Sequence, residues 1–148
     1  MNNNTVKNIR RFNRYYTAWL DVMNKGYLGT DFSWPESRVL FEIYLCPGIT
    51  ATDICRHLRM DKSYVSRILS RFEKQGFISR ELIPGSKGLK RLYLTGAGEK
   101  EAKEIDSCGD RQIIGKLGSL DTETCEKLCN AMTFIEKTLR EEELHDGQ

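Results

Sequence analysis

The chain has 148 residues, with 23 Lys and Arg against 21 Asp and Glu for a formal net charge of +2, and 39% of its residues are hydrophobic. That length suits one domain, able to bury a core if a partner covers its extended parts. No apolar run approaches a membrane span, the MNNNTVKNIRR start lacks the apolar core of a signal peptide, and five cysteines in no dense framework fit a reducing compartment. A membrane protein and a stapled secreted fold are thereby disfavoured, and a cytoplasmic protein is expected.

In chain order, the first four residues read as frayed, and a long helix is expected from Thr5. Val6, Ile9, Phe12, Tyr16, Trp19, Leu20 and Met23 form its apolar stripe, with Lys7, Arg10, Arg11 and Arg14 off it. Gly26 and Gly29 are the expected break. Ser33 as N-cap, Pro35 in the first turn and Glu36 at the capping-box position then start a second helix, Trp34 to Leu45. It should bury Val39, Leu40 and Ile43, and Pro47-Gly48 should end it.

The stretch Thr50 to Gly76 reads as two short helices joined by a tight turn. Thr50 with Asp53 can cap the first and Asp61 the second, while Gly76 supplies the positive φ of a helix stop. Ile54 and Leu58 point inward from the first helix, and Val65, Ile68, Leu69 and Phe72 from the second. The remaining face of the second helix holds Lys62, Ser63, Tyr64, Ser66, Arg67, Ser70, Arg71 and Lys74. Short hydroxyls among long cations suit a major groove, where Arg forks onto guanine and Ser reaches phosphates or base edges. A plain solvated amphipathic helix would show the same charged face.

FISRELIPGSKGLKRLYLT follows, two strand-like runs around a Pro-Gly-Ser-Lys-Gly turn. A basic helix followed by a basic-tipped hairpin is a winged helix-turn-helix arrangement, with Lys87, Lys90 and Arg91 on the wing. Charge is concentrated here. Residues 56–91 hold 10 basic and 3 acidic side chains, a net of +7, whereas residues 92–148 hold 7 and 13, a net of −6. Cations gathered on one module attract a polyanion locally even when the whole chain is near neutral.

Thr95 should cap one helix from near Gly96, with Ala102, Ile105, Ile113 and Leu117 inward; a helix bent near Gly109 is the alternative. Asp121 should cap the last helix. Its stripe of Cys125, Leu128, Met132, Ile135 and Leu139 is spaced 3, 4, 3 and 4, a heptad-type seam that leads to an acidic tail. Together with Ile9 and Phe12 this seam carries more apolar surface than a small winged domain covers. A homodimer with intertwined end helices follows as the expectation; packing within one chain is the alternative.

Three segments carry a family resemblance. Ser63-Tyr64-Val65-Ser66-Arg67, Phe72-Glu73-Lys74-Gln75-Gly76-Phe77-Ile78 and Leu94-Thr95-Gly96-Ala97-Gly98 resemble the signature S-x-V-[TS]-R, [LF]-E-x-x-G-[LF]-[IV] and L-T-x-x-G of the multiple-antibiotic-resistance regulator (MarR) family. The resemblance implies a mainly α (α+β) fold, a winged helix-turn-helix with long N- and C-terminal dimerisation helices and a two-stranded wing. Residues 1–148 would form a single MarR-like domain, with 5–32 and 96–146 as dimerisation helices and 33–95 as the winged lobe.

The same resemblance implies a sequence-specific regulator, a homodimeric repressor of double-stranded DNA with a pseudo-palindromic operator. Thr50, Thr52, Lys62, Ser63, Tyr64, Ser66, Arg67, Ser70, Arg71, Lys87, Lys90 and Arg91 would form its DNA-binding surface, with Arg67 central. The wing departs from the family, whose Asp-x-Arg near the tip is here Ser86, Lys87 and Gly88. The family's Arg role therefore does not carry over to position 88, and Lys87 or Arg91 would have to stand in. RRFNRYYTAWLDV and FSWPESRVLFEI resemble a subgroup whose regulator domain often lies upstream of an acetyltransferase domain. In a chain ending at Gln148 no such domain and no acetyl-CoA site are expected.

MarR-like regulators often release DNA when a small aromatic effector enters a cleft, which Tyr15, Tyr16, Trp19 and Trp34 could line; plain core is the competing reading of those aromatics. A cysteine-based redox sensor is an alternative. Cys125 and Cys129 share a helix face, yet no thiol lies near the start of the first helix, where peroxide-sensing relatives keep theirs. A winged-helix protein-interaction module without DNA binding is the third. An enzyme is not expected. Only His57 and His145 occur, His57 reading as a surface or phosphate contact, and no HExxH, paired CxxC or glycine-rich phosphate loop is present. No cofactor and no metal are expected.

Overall fold

Helix starts and stops dictate the architecture of the computed structural model, which describes residues 1–146. The elements are α1 (Asn3–Trp19), a 3₁₀ turn (Tyr27–Gly29), α2 (Trp34–Leu45), α3 (Ala51–Leu58), α4 (Lys62–Lys74), β1 (Ile78–Leu82), β2 (Lys90–Leu94), α5 (Gly96–Leu117) and α6 (Thr122–Asp146). Six helices with one two-stranded antiparallel sheet give the mainly helical winged fold expected from the sequence. The chain forms two compact units, residues 1–110 and a second that begins at Arg111.

Both ends of α1 differ from the expectation. The helix begins at Asn3 rather than Thr5, because the Asn2 side chain accepts from the Thr5 backbone N–H at 2.8 Å and caps it. It stops at Trp19, ahead of Gly26. Asp21 takes the left-handed region at φ 59° and accepts a hydrogen bond from the Asn24 amide, so a short polar side chain does what glycine was expected to do. Leu20 and Met23 thus fall outside the helix that the stripe predicted. α1 buries none of its residues.

From α2 onward the caps are where local chemistry puts them. Ser33 Oγ accepts from the Glu36 N–H at 3.3 Å while Glu36 Oε2 accepts from the Ser33 N–H at 3.0 Å, so both halves of the capping box are made. Thr50 and Asp53 repeat the device on α3, and Asp61 accepts from the Tyr64 N–H at 3.2 Å to start α4. Arg59, at φ 52°, reverses the chain between the two helices.

The core lies between α2, α3, α4 and the sheet. Val39, Leu40, Ile43, Ile54, Val65, Leu69 and Phe72 are fully buried, and Phe32 meets Phe72 edge-on at 5.9 Å. At roughly 25 cal/mol per Å² of apolar surface, each of these side chains contributes about 1.5–3 kcal/mol. Leu58 is only half-buried at the edge of this cluster.

The wing pairs Ile78 with Leu94 and Leu82 with Lys90. Its root is stitched to the end of α2: Gly48 N–H donates to the Leu92 carbonyl at 2.8 Å, and Leu92 N–H to Ile49 at 2.9 Å. The last motif glycine has a steric reason. A Cβ on Gly98 would lie 2.0 Å from the Phe77 carbonyl oxygen, so the start of α5 can pass the end of α4 only without a side chain there. Thr95 completes the lock, donating through Oγ1 to the Gly76 carbonyl and accepting from the Gly98 N–H at 3.1 Å.

Ala102 and Ile105 are buried as expected, whereas Ile113 is exposed. α5 runs as one helix from Gly96 to Leu117, through Gly109, as expected. In the second unit Asp121 caps α6 by accepting from the Thr124 N–H at 2.8 Å. Among the described residues of α6 none is buried.

Candidate nucleic-acid interface

α4 divides cleanly. Its apolar side packs on the core, and Lys62, Ser63, Tyr64, Ser66, Arg67, Ser70 and Arg71 all lie exposed on the other side. The Arg67 guanidinium lies 5.6 Å from the Tyr64 ring centroid, a cation–π contact that stiffens a long side chain and leaves its N–H groups available. Ser66, Arg67, Ser70 and Arg71, with Lys74 and Gln75, line a shallow depression along the helix.

Partners already engaged distinguish the remaining candidates. Arg71 Nη1 donates to Glu36 Oε1 on α2, so its charge is compensated within the chain. Thr50 Oγ1 donates to Asp53 Oδ2 at 2.8 Å and accepts from the Asp53 N–H at 3.2 Å, which commits the hydroxyl to the cap. Thr52 is exposed beside it. The Thr50 hydroxyl and backbone N–H hold the Asp53 carboxyl below its ordinary value. Arg56 lies 2.7 Å from the other Asp53 oxygen.

On the wing, Lys87 is exposed on the turn and Lys90 at the first position of β2. Arg91 sits across from Glu81, and its Nη1 donates to the Gly48 carbonyl at 3.3 Å. That draws Arg91 toward the wing's root and leaves Lys87 as the cation of the tip. His57, expected to be a surface or phosphate contact, is exposed, and its Nδ1 lies 2.6 Å from Glu42 Oε1, tying α3 to α2. Glu36 and Glu42 are the residues that sequence reasoning missed. A capping box reveals one oxygen of Glu36, but nothing local signals an arginine 35 residues away.

Of the four aromatics proposed for an effector cleft, Tyr15, Tyr16 and Trp19 lie on α1 and Trp34 on α2. Tyr16 stacks between Phe12, at 5.4 Å, and Trp19, at 5.9 Å, along α1, and Tyr15 is 69% exposed. Trp34 lies partly exposed at the start of α2. A separate cleft runs between the 3₁₀ turn, α2 and α5, lined by Tyr27, Leu28, Ser37, Arg38, Phe41, Ile105, Asp106, Gly109 and Asp110. The Ser37 hydroxyl in it is buried and has no hydrogen-bond partner, a costly arrangement in a dry site. Burial raises the Tyr27 hydroxyl above its ordinary pKa, against smaller opposing effects of Arg38 and Trp34.

Of the seam residues, Ile9 and Phe12 on α1 are 48% and 45% exposed, and on α6 Cys125 and Leu128 are half-buried while Met132, Ile135 and Leu139 are exposed. None of the five cysteines forms a disulfide. Among the described residues no helix is long and apolar enough to cross a membrane, and no group of three acidic, His or Cys side chains is arranged to hold a metal.

Fold and surface together define a winged helix-turn-helix protein. Residues 30–87, the span of the lobe from α2 to the wing turn, match the MarR family. The transcriptional regulator HosA of Escherichia coli O111:H- is 28% identical over 105 residues, covering 69% of this chain and 78% of HosA. A MarR family protein from Bacillus stearothermophilus superposes with a TM-score of 0.78 at 18% identity, covering 95% of this chain and 99% of its own. Streptococcus pneumoniae FabT, solved in complex with DNA, gives 0.72 at 18% identity, covering 90% and 98%. In the sequence of its lobe and in its fold the chain is similar to MarR-type winged-helix transcriptional regulators.

Proposed function

We propose that this regulator is a cytoplasmic homodimer that represses transcription by gripping a pseudo-palindromic operator and lets go when a small molecule occupies its cleft. The carrying observation is the exposed face of α4, where Ser63, Ser66, Arg67 and Ser70 stand free of the core within a stretch of net charge +7. A face of that kind fits a major groove, with Arg67 reaching base edges or phosphates and Lys62 and Ser63 close to the backbone. Unpaired N–H groups at the starts of α3 and α4 favour phosphate through the helix dipole. Lys87 and Lys90 follow the backbone from the wing. They act as point charges, without the planar fork of the arginine the family usually places there.

The dimer reading rests on apolar side chains of α1 and α6 that stand in water in the single chain, Phe134 at 71% and Leu139 at 59% exposure among them. Residues 5–32 and 96–146 would supply the dimer interface and 33–95 the lobe. Two-fold symmetry then sets half-sites about one helical turn apart. FabT, of the same fold, was crystallised on DNA, which is consistent with this use of the architecture. For the effector, the observation is the orphaned Ser37 hydroxyl beside Tyr27 and Phe41, a polar group facing a part-apolar cleft that a small aromatic molecule with an acceptor would satisfy. The subgroup likeness of residues 10–22 and 32–43 concerns the regulator part alone and assigns no acetyl-CoA chemistry.

A gel shift with the region upstream of the protein's own gene tests the reading. A retarded band that weakens steeply with salt is expected, and Arg67→Ala should weaken it at least tenfold, within the range of about 1–3 kcal/mol for a good base contact. Absence of a shift even in dilute buffer would defeat the proposal.

A further inference from the structure

Glu36 is the third residue of α2, and its side chain is only 13% exposed. Both of its oxygens are in use. Oε2 accepts from the Ser33 N–H and closes the capping box, while Oε1 accepts from Arg71 Nη1. One carboxylate therefore joins the first turn of α2 to the third turn of α4, the helix that carries Arg67. The surrounding contacts, Val39, Leu40 and Ile43 beside Ile68, Leu69 and Phe72, are apolar and non-directional. A charge-assisted hydrogen bond to a guanidinium has a direction, and it resists rotation of the helix in a way apolar contact does not. A guanidinium so held is also partly neutralised and is not offered in full to a phosphate.

We propose that Glu36 is a positioning residue for DNA reading: acting through Arg71, it fixes the orientation of α4 and keeps Arg71 out of the set of phosphate contacts. This rests on the reading of α4 as the DNA-reading helix. Without the brace, α4 reads its site less selectively, and Arg71 becomes free to neutralise a phosphate. If Arg71 were itself a phosphate contact, its loss would lower affinity for every duplex alike.

Glu36→Gln separates the two duties of the side chain, because a capping box accepts Gln as well as Glu and only the charge facing Arg71 is lost. The measurements are amide hydrogen exchange on the free protein and salt-dependent binding to the upstream fragment and to a random duplex of equal length. In Glu36→Gln, α4 amides should exchange several-fold faster while the first turn of α2 keeps its wild-type rates. The ratio of affinities for the upstream fragment over the random duplex should fall several-fold, and the salt slope on random DNA should steepen by about one. Arg71→Gln should lose the same ratio and keep the wild-type slope. Unchanged exchange on α4 in Glu36→Gln, or a slope shallower by about one in Arg71→Gln, overturns the proposal. Wild-type protein that retains neither duplex removes the reading of α4 itself, a failure visible before any variant is made and distinct from an unchanged exchange pattern, which removes the brace alone.

Discussion

α4 and α6 are both amphipathic, yet they meet opposite fates within one chain. α4 buries Val65, Ile68, Leu69 and Phe72 and leaves its polar face to water, whereas α6 leaves Met132, Phe134, Ile135 and Leu139 exposed and buries none of its described residues. The same 3.6-residue rule produces both stripes. What differs is the supply of partners: α4 has α2, α3 and the sheet across from it, and α6 has no comparable cover in its own unit. A satisfied stripe stabilises the chain that carries it, and an exposed one is the surface that the proposed dimer would cover.

The largest effect should come from the satisfied side. Phe72 is fully buried and touches Phe32 and Phe77, so Phe72→Ala should cost about 3–5 kcal/mol through lost transfer energy and the cavity left behind. Chemical denaturation would show this as a lower midpoint. A loss below 1 kcal/mol would mean that the lobe does not pack as described.

On the unsatisfied side the readout is association rather than folding. Ile135→Asp puts a charge on the stripe of α6, at a position 39% exposed in the single chain. It should leave the lobe folded, convert a dimer at micromolar concentration to monomer by sedimentation, and weaken operator binding by removing the paired half-site. A wild-type chain that sediments as a monomer, or a variant that stays dimeric, would break the contrast between the two helices.

The two regions also differ in how much of them the sequence discloses. From α2 onward, what neighbours within four residues govern was legible: Ser33, Thr50, Asp61 and Asp121 cap where expected, α2 has the predicted bounds, and the buried positions of α4 follow from spacing. The start of α1 was misplaced because Asn2 is as good a cap as any residue near it, and its stop because Asp21 adopts a backbone region usually left to glycine. Pairs formed across the fold left no local trace. Glu36 with Arg71, Glu42 with His57 and Arg91 with Gly48 join positions 15 to 43 residues apart, and they decide which cations of the site stand free. The cleft beside Ser37 was equally hidden, since three separate elements converge on it.

The smallest effect concerns the carboxylates that cap one helix in each region. Asp53 is held below its ordinary pKa first by the Thr50 hydroxyl, and Asp121 first by the Thr124 backbone N–H. In both, the folded value lies below the unfolded one, so the stabilisation is fully present above the ordinary value of 3.8 and is lost as pH falls through it toward the folded value. Stability should therefore be insensitive to these two groups from neutral pH down to about pH 5 and decline below it. Thr50→Ala removes the leading cause at Asp53 together with a cap, and should cost about 1 kcal/mol at neutral pH. The same variant should flatten the acid limb of the stability curve, because the Asp53 carboxyl moves back toward its ordinary value. Asp121→Asn should flatten that limb as well, through the other unit. Its cost at neutral pH should be small, since Asn caps nearly as well as Asp. Denaturant midpoints measured from pH 7 to pH 3 check both, and an acid limb unchanged by either substitution would place the proton-linked stability elsewhere in the chain.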